Sequence, residues 1–248
     1  MGKDRYVLAS PALERRGVLV AFTERTGGTS LPPHRSLNLG FHTGDDPSRV
    51  RQNRELVAAD LGTGPFATAR QVHGARSAGV GRAHAGAGFS DPGTAIAGAD
   101  VLVVTRRGIP VAVLVADCVP LLLAGSRGTV VAVHAGWRGL AAGVLDRALA
   151  AAGDGLTAAI GPAVGPCHYE VGEEVVAAVD AGTGGRARAS RRGRPSLDLP
   201  GTVAAVLRDA GVRRVDRAGV CTACEEGRFF SHRRDGRTGR QAMVAMRL

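Results

Sequence analysis

The sequence predicts an α/β fold: one compact domain over residues 1–248, with mixed β-sheets flanked by helices and some α+β character. Three observations predict it. Four short apolar runs crowd together at 101–105, 111–116, 120–124 and 129–133. Segments with helically spaced apolar residues stand on either side of them. No convincing linker divides the 248 residues, a length that can bury a substantial core.

The elements follow in order. "RGVLVAFTERTGGTS" (16–30) reads as a strand entering a double-glycine turn, and 31–47 as a long irregular loop. Asp46 caps a helix with Pro47 in its first position and Gly62 at its end; Val50, Val57 and Leu61 mark its inner stripe. Asn53 and Arg54 fall on or beside that stripe. Arg54 either snorkels to water along the helix edge or points into a polar site. The four apolar runs are nearly continuous, so their sheet is expected to be covered on both faces. A helix follows from about Arg138, through Leu140, Val144, Leu145 and Leu149, to Gly153. Residues 156–182 read as a strand, a loop rich in glycine and proline, and a helix with acid at its start. "GGRARASRRGRPS" (184–196) reads as a mobile solvated loop. A helix at 200–210, a strand near 212–220 and a hairpin around Asp235 and Gly236 complete the chain.

Composition bounds the function. A hydrophobic fraction of 44% and a charged fraction of 22% suit a soluble globular protein. No apolar run approaches the ~18–20 residues of a membrane span, and the N-terminal stretch lacks a signal pattern, so a cytoplasmic location is the expectation. The net charge of +10 is nearly all arginine, Lys3 being the only lysine, and 4% of residues are aromatic. With alanine, glycine and valine abundant, that charge reflects compositional bias rather than nucleic-acid binding. Cys118, Cys167, Cys221 and Cys224 form no disulfide framework in a chain this long, which fits a reducing compartment.

Three residues share one setting. His73 in "RQVHGA", Cys118 in "VLVADCVPLLL" and His134 in "VAVHAGWRG" each sit where an apolar strand breaks. Strand ends are where α/β folds assemble sites. Two imidazoles and a thiolate match a catalytic zinc shell with an open fourth position. The alternative for each is a hydrogen-bonded core histidine or an inert core cysteine. The turn "AGWRG" leads into a helix, whose free N–H groups, with Arg138, suit an anion such as phosphate.

The segments "RQVHG", "ADCVPLLL", "HAGWRGLAAG", "IGPAVGPCHYEVG" and "FFSHRRDGRTGR" resemble, in order, the signatures of the laccase-domain family, also called multicopper polyphenol oxidase or peptidoglycan editing factor. "TERTGGTS" and "SLNLGFHTGDDP" resemble its N-terminal segments, so the likeness runs from about residue 17 to the end. The resemblance implies a zinc-dependent purine nucleoside enzyme. Its activities would be phosphorolysis of adenosine, inosine, guanosine and methylthioadenosine, and adenosine deamination. It maps the metal ligands, and with them catalysis, onto His73, Cys118 and His134. Arg54, Arg138, Arg233 and Asn38 are substrate-binding candidates by position, and Asp117 either orients a ligand, shuttles a proton or caps a turn. Purine nucleosides and phosphate are the expected partners, with no nucleic acid or membrane, in a monomer or weak dimer.

The chain departs from the family pattern at three places. His232 stands where tyrosine is usual, His168 where a second cysteine is common, and Cys224 is extra. A lone C-x-x-C without a second pair is poor evidence for zinc, so Cys221 and Cys224 read as structural or incidental. Two rival functions remain. A copper-dependent polyphenol oxidase needs many histidines, and this chain has seven; copper would bind a Cys/His site simply from its high affinity. A metal-free hydrolase acting on peptidoglycan precursors would use Cys118 as nucleophile and a histidine as base.

Overall fold

Side-chain alternation along the apolar strands divides the interior into layers. The computed structural model describes residues 6–7, 10–190 and 194–248. Its strands are β1 (Tyr6–Val7), β2 (Val18–Thr23), β3 (Ala67–Thr68), β4 (Ser77–Gly79), β5 (Val101–Val104), β6 (Val111–Val115), β7 (Val119–Ala124), β8 (Val130–Ala135), β9 (Thr157–Ile160), β10 (Ala189–Ser190), β11 (Ser196–Leu197), β12 (Arg214–Arg217) and β13 (Gln241–Arg247). The helices are α1 (Pro11–Glu14), α2 (Pro47–Leu61), α3 (Trp137–Ala141), α4 (Val144–Ala152), α5 (Glu173–Gly182), α6 (Leu199–Asp209) and α7 (His232–Asp235). The mixed α/β class is as the sequence predicts.

The four apolar runs do not share one sheet. β6 lies in a five-stranded sheet of order β1-β2-β13-β6-β3, while β5, β7 and β8 lie in a six-stranded sheet of order β12-β9-β7-β8-β5-β4. Leu122 and Ala124 of β7 and Val130 and Ala132 of β8 pack in one cluster with Phe22, Val113 and Met243 of the five-stranded sheet. Leu121, Leu123, Val131 and Val133, one residue out of step, pack with Leu145 and Ala148 of α4 and Val203 and Leu207 of α6. On the far side of the five-stranded sheet, Ala112, Ala242 and Val244 meet Val57 of α2, Leu37, Leu39, Phe66 and Phe89. Both sheets are therefore covered on both faces, which is why β7 and β8 are apolar at nearly every position.

Helix α2 forms as expected: the Asp46 side chain accepts from Ser48 N–H, Pro47 opens the helix, and Gly62 closes it in the left-handed conformation. Elsewhere the expectations need correction. The helix expected from Arg138 to Gly153 is two, because Gly143 adopts φ +77°, a left-handed conformation that ends α3 and starts α4 in a new direction. The hairpin expected at Asp235 and Gly236 is a single helical turn, α7, whose N-cap Ser231 accepts from Arg234 N–H. The strand after it, β13, inserts between β2 and β6 rather than folding back on its own neighbour. Part of the basic loop, residues 191–193, lies outside the described residues, as do residues 1–5 and 8–9 of the N-terminal stretch expected to lack a signal; the loop's flanks pair as β10 and β11. Among the described residues no helix is long and apolar enough to cross a membrane.

Candidate metal and substrate site

The site forms where the chain crosses between the two sheets. The β3–β4 connection carries His73 and the β6–β7 connection carries Cys118, while His134 sits near the end of β8. His73 (φ +59°) and Asp117 (φ +89°) are the two non-glycine residues with positive φ among the described residues. Backbone strain of this kind persists where surrounding contacts hold it, and it clusters at functional sites.

The three predicted ligands come together. One donor atom each of His73, Cys118 and His134 lies within 4.8 Å of the others, and the two imidazole rings stand edge to face with centroids 4.7 Å apart. Asp100, at the entry to β5, organises the set. Its Oδ1 accepts from His134 Nδ1–H at 2.8 Å and from His73 N–H at 2.9 Å. Its Oδ2 accepts from Gly74 N–H and Val72 N–H. With Nδ1 bonded, His134 keeps Nε2 as its ligand atom. Gly136 closes the cradle from below: a Cβ there would lie 2.9 Å from Cys118 Sγ and 3.2 Å from His73 Cδ2.

Electrostatics reinforces this set. Burial alone would push the Cys118 thiol up, but His134 and His73 outweigh it and bring it down to about 6. Burial alone would lower His134; the Cys118 sulfur and Asp100 carboxylate raise it to about 9. Asp100 is lowered from the usual carboxylate range, its burial being offset by His134 and the N–H groups of Gly74 and Val72. Two borderline imidazoles, one thiolate and a carboxylate behind one of them suit a transition metal with an open position.

The three ligands open into a cavity of about 640 Å³. Five guanidiniums line it, from Arg54, Arg70, Arg138, Arg233 and Arg240, against one carboxylate, Asp117. Both oxygens of that carboxylate are engaged: Oδ1 accepts from Thr222 Oγ1 and Oδ2 from Arg233 N–H, each at 2.6 Å. Phe41, Trp137 and Tyr169 supply aromatic wall.

Arg54 does not snorkel. It is 2% exposed, its Nε donates to Leu39 O and its Nη1 to Gly88 O and Phe89 O, and its guanidinium lies over Phe41. Burial lowers it to about 9, so it stays charged at neutral pH. Arg138 and Arg233 both line the cavity, stacked on Trp137 and Tyr169 respectively. Asn38 does not line it. Fully buried, it accepts from Gly40 N–H and Arg240 N–H and donates to Thr43 Oγ1 and Asp45 Oδ2, holding the loop that forms one wall. Because α3 spans five residues only, the case for an anion rests on the arginines rather than on a helix terminus.

Sequence reasoning missed Asp100, Tyr169 and Arg240. Asp100 carried a faint signal, an acid directly before an apolar strand; Tyr169 and Arg240 lie in the family-like segments "IGPAVGPCHYEVG" and "FFSHRRDGRTGR", where nothing local marks them out from their neighbours. The reading of Cys221 and Cys224 as structural or incidental did not foresee their neighbours: the structure places them beside Cys167 and His168, outside the cavity.

Residues 19–248 match the family model described as multi-copper polyphenol oxidoreductase laccase. The chain belongs to that family. A Streptomyces griseus protein named purine nucleoside phosphorylase is 43% identical over 231 residues, covering 90% of this chain and 91% of its own. A Streptomyces coelicolor protein of the same name is 42% identical, covering 91% and 94%. The crystal structure of YlmD from Geobacillus stearothermophilus superposes with a TM-score of 0.87 at 33% identity, covering 100% of this chain and 97% of that one.

Proposed function

We propose that the protein is a metal-dependent purine nucleoside phosphorylase. Hydrogen phosphate attacks the anomeric carbon of adenosine, inosine, guanosine or methylthioadenosine; the new C–O bond forms as the glycosidic C–N bond breaks, and the proton that hydrogen phosphate gives up ends on the departing base. Deamination of adenosine is the companion activity inferred for the same site. The observation that carries this reading is the union of the His73–Cys118–His134 set with five arginines in one cavity. The names of the relatives point the same way.

His73, Cys118 and His134 would hold a zinc ion. Such an ion supplies Lewis-acid polarisation and the acidity that makes water nucleophilic near neutral pH. The chain's own groups do the rest. Arg138 and Arg233, already oriented by ring stacking, bind the phosphate dianion. Phe41, Trp137 and Tyr169 offer faces and edges for a flat base. Tyr169, pushed up to about 12 chiefly by burial, keeps its hydroxyl proton and remains a donor. Asp117, bonded on both oxygens, positions Arg233 rather than moving a proton.

One observation favours a second reading. Cys118 stands beside His134, and the Asp100 carboxylate lies 2.8 Å behind that imidazole, the thiol–imidazole–carboxylate order of a cysteine hydrolase. The oxidase reading finds less support: among the described residues the two clusters that could hold metal offer His2Cys and Cys3His sets, not the many histidines of a multicopper centre. The test is incubation of adenosine, inosine and methylthioadenosine with and without phosphate. Base release that requires phosphate supports the phosphorylase; turnover of none of them refutes it and favours the cysteine hydrolase.

A further inference from the structure

A second cluster lies outside the cavity. Cys167 and His168 come from the loop between β9 and α5, and Cys221 and Cys224 from the loop between β12 and α7. One donor atom from each lies within 4.8 Å of all the others. Cys167 Sγ is 3.5 Å from Cys224 Sγ, and His168 Nδ1 is 3.3 Å from Cys167 Sγ, 3.4 Å from Cys224 Sγ and 3.9 Å from Cys221 Sγ. A zinc ion with bonds of about 2.3 Å to sulfur and 2.0–2.1 Å to nitrogen sets tetrahedral edges of about 3.8 Å between sulfurs and about 3.6 Å between sulfur and nitrogen. The observed separations scatter around those edges. Gly165 N–H donates to Cys221 Sγ at 3.2 Å, the kind of outer contact that supports a metal thiolate.

We propose that Cys167, His168, Cys221 and Cys224 form a structural zinc site, separate from the His73–Cys118–His134 set. Cys3His is a closed four-ligand shell with no position left for substrate. It is bipartite: a C-x-x-C pair closes with an adjacent cysteine–histidine pair about fifty residues earlier in the chain. Zinc displaces the three thiol protons and ties together two loops that also meet at the isolated β-bridge of Ala163 with Cys221 and through the Gly165 N–H bond to Cys221 Sγ.

What the clip steadies follows from its neighbours. Tyr169, next to His168, lines the cavity. Thr222, next to Cys221, donates to Asp117, and Asp117 accepts from Arg233. The site thus fixes one wall of the cavity from behind. Its competitor is a Cys167–Cys224 disulfide, which would leave Cys221 and His168 without a role.

The test is metal content after reduction, exposure to excess zinc and removal of unbound ion. Wild type is expected to retain two zinc ions per chain, Cys118→Ala one and Cys224→Ser one. Cobalt substitution identifies which site is lost, because thiolate-to-metal absorption grows with the number of thiolates: Cys118→Ala keeps most of it and Cys224→Ser loses most. His168→Cys, which completes the same shell with a fourth thiolate, should keep two ions and absorb more strongly. If Cys224→Ser does not fold, wild type and His168→Cys still decide the matter. A wild type that retains one ion, with cobalt absorption of a single thiolate, overturns the proposal. So does a Cys167–Cys224 disulfide that re-forms in preference to zinc uptake.

Discussion

The Asp100 carboxylate lies 2.8 Å from Nδ1 of His134 and also accepts the backbone N–H of His73, so one buried acid aligns two of the three ligands. It fixes the His134 tautomer and pins the strained turn at His73. Asp100→Asn keeps an acceptor but removes the charge. Metal affinity should fall roughly 10- to 100-fold, read by competition with a chelator. Asp100→Ala should in addition lower stability by about 1–3 kcal/mol for each buried donor left without a partner, seen as a drop in Tm.

Gly136 is needed for space and Gly143 for conformation, so their alanine variants should fail differently. Gly136→Ala places a carbon against Cys118 Sγ and should lower metal occupancy at this site. Gly143→Ala meets no close neighbour but must hold φ +77°, and should cost about 1 kcal/mol of stability with metal retained. Metal analysis alongside thermal unfolding separates the two.

Much of this site was legible in the sequence because two of the ligands stand at the ends of apolar strands: Cys118 directly before β7 and His134 one residue from the end of β8. His73 and His134 precede small residues and Cys118 stands two residues before a proline, but His73 lies in an irregular connection rather than at a strand end. What could not be read was pairing at long range. Nothing local says that β6 leaves the sheet of its neighbours, or that β13 inserts between β2 and β6. The cysteine pair at 221 and 224 looked isolated because its partners at 167 and 168 meet it only through the fold. The break at Gly143 was missed because apolar spacing continues across it while the backbone does not.

In chelated, metal-free protein, Cys118 should remain a thiolate well below the range of an ordinary cysteine. Burial pushes its thiol up, and His134 and His73 more than reverse that, to about 6. The alkylation rate should therefore fall with a midpoint near pH 6, against about 8.5 for a free thiol. Loading with zinc should protect Cys118 at every pH in between. Peptide mass mapping separates it from the other three cysteines.

Arg138 and Arg233 carry the phosphate in this account. Arg138→Ala should raise the KM for phosphate roughly 10- to 100-fold, the scale of one charge-assisted hydrogen bond, with a smaller change in the KM for nucleoside. A variant that loses nucleoside affinity instead would place the phosphate elsewhere in the cavity. Initial rates over a grid of both substrates give the comparison.

The most direct measurement is phosphate-dependent release of base from inosine by wild type and Cys118→Ala, with metal counted in the same samples. Wild type is expected to release base only when phosphate is present. Cys118→Ala is expected to lose at least about 100-fold of that rate and one metal ion per chain. Release at the wild-type rate by Cys118→Ala, or no release by metal-loaded wild type, would contradict the phosphorylase reading.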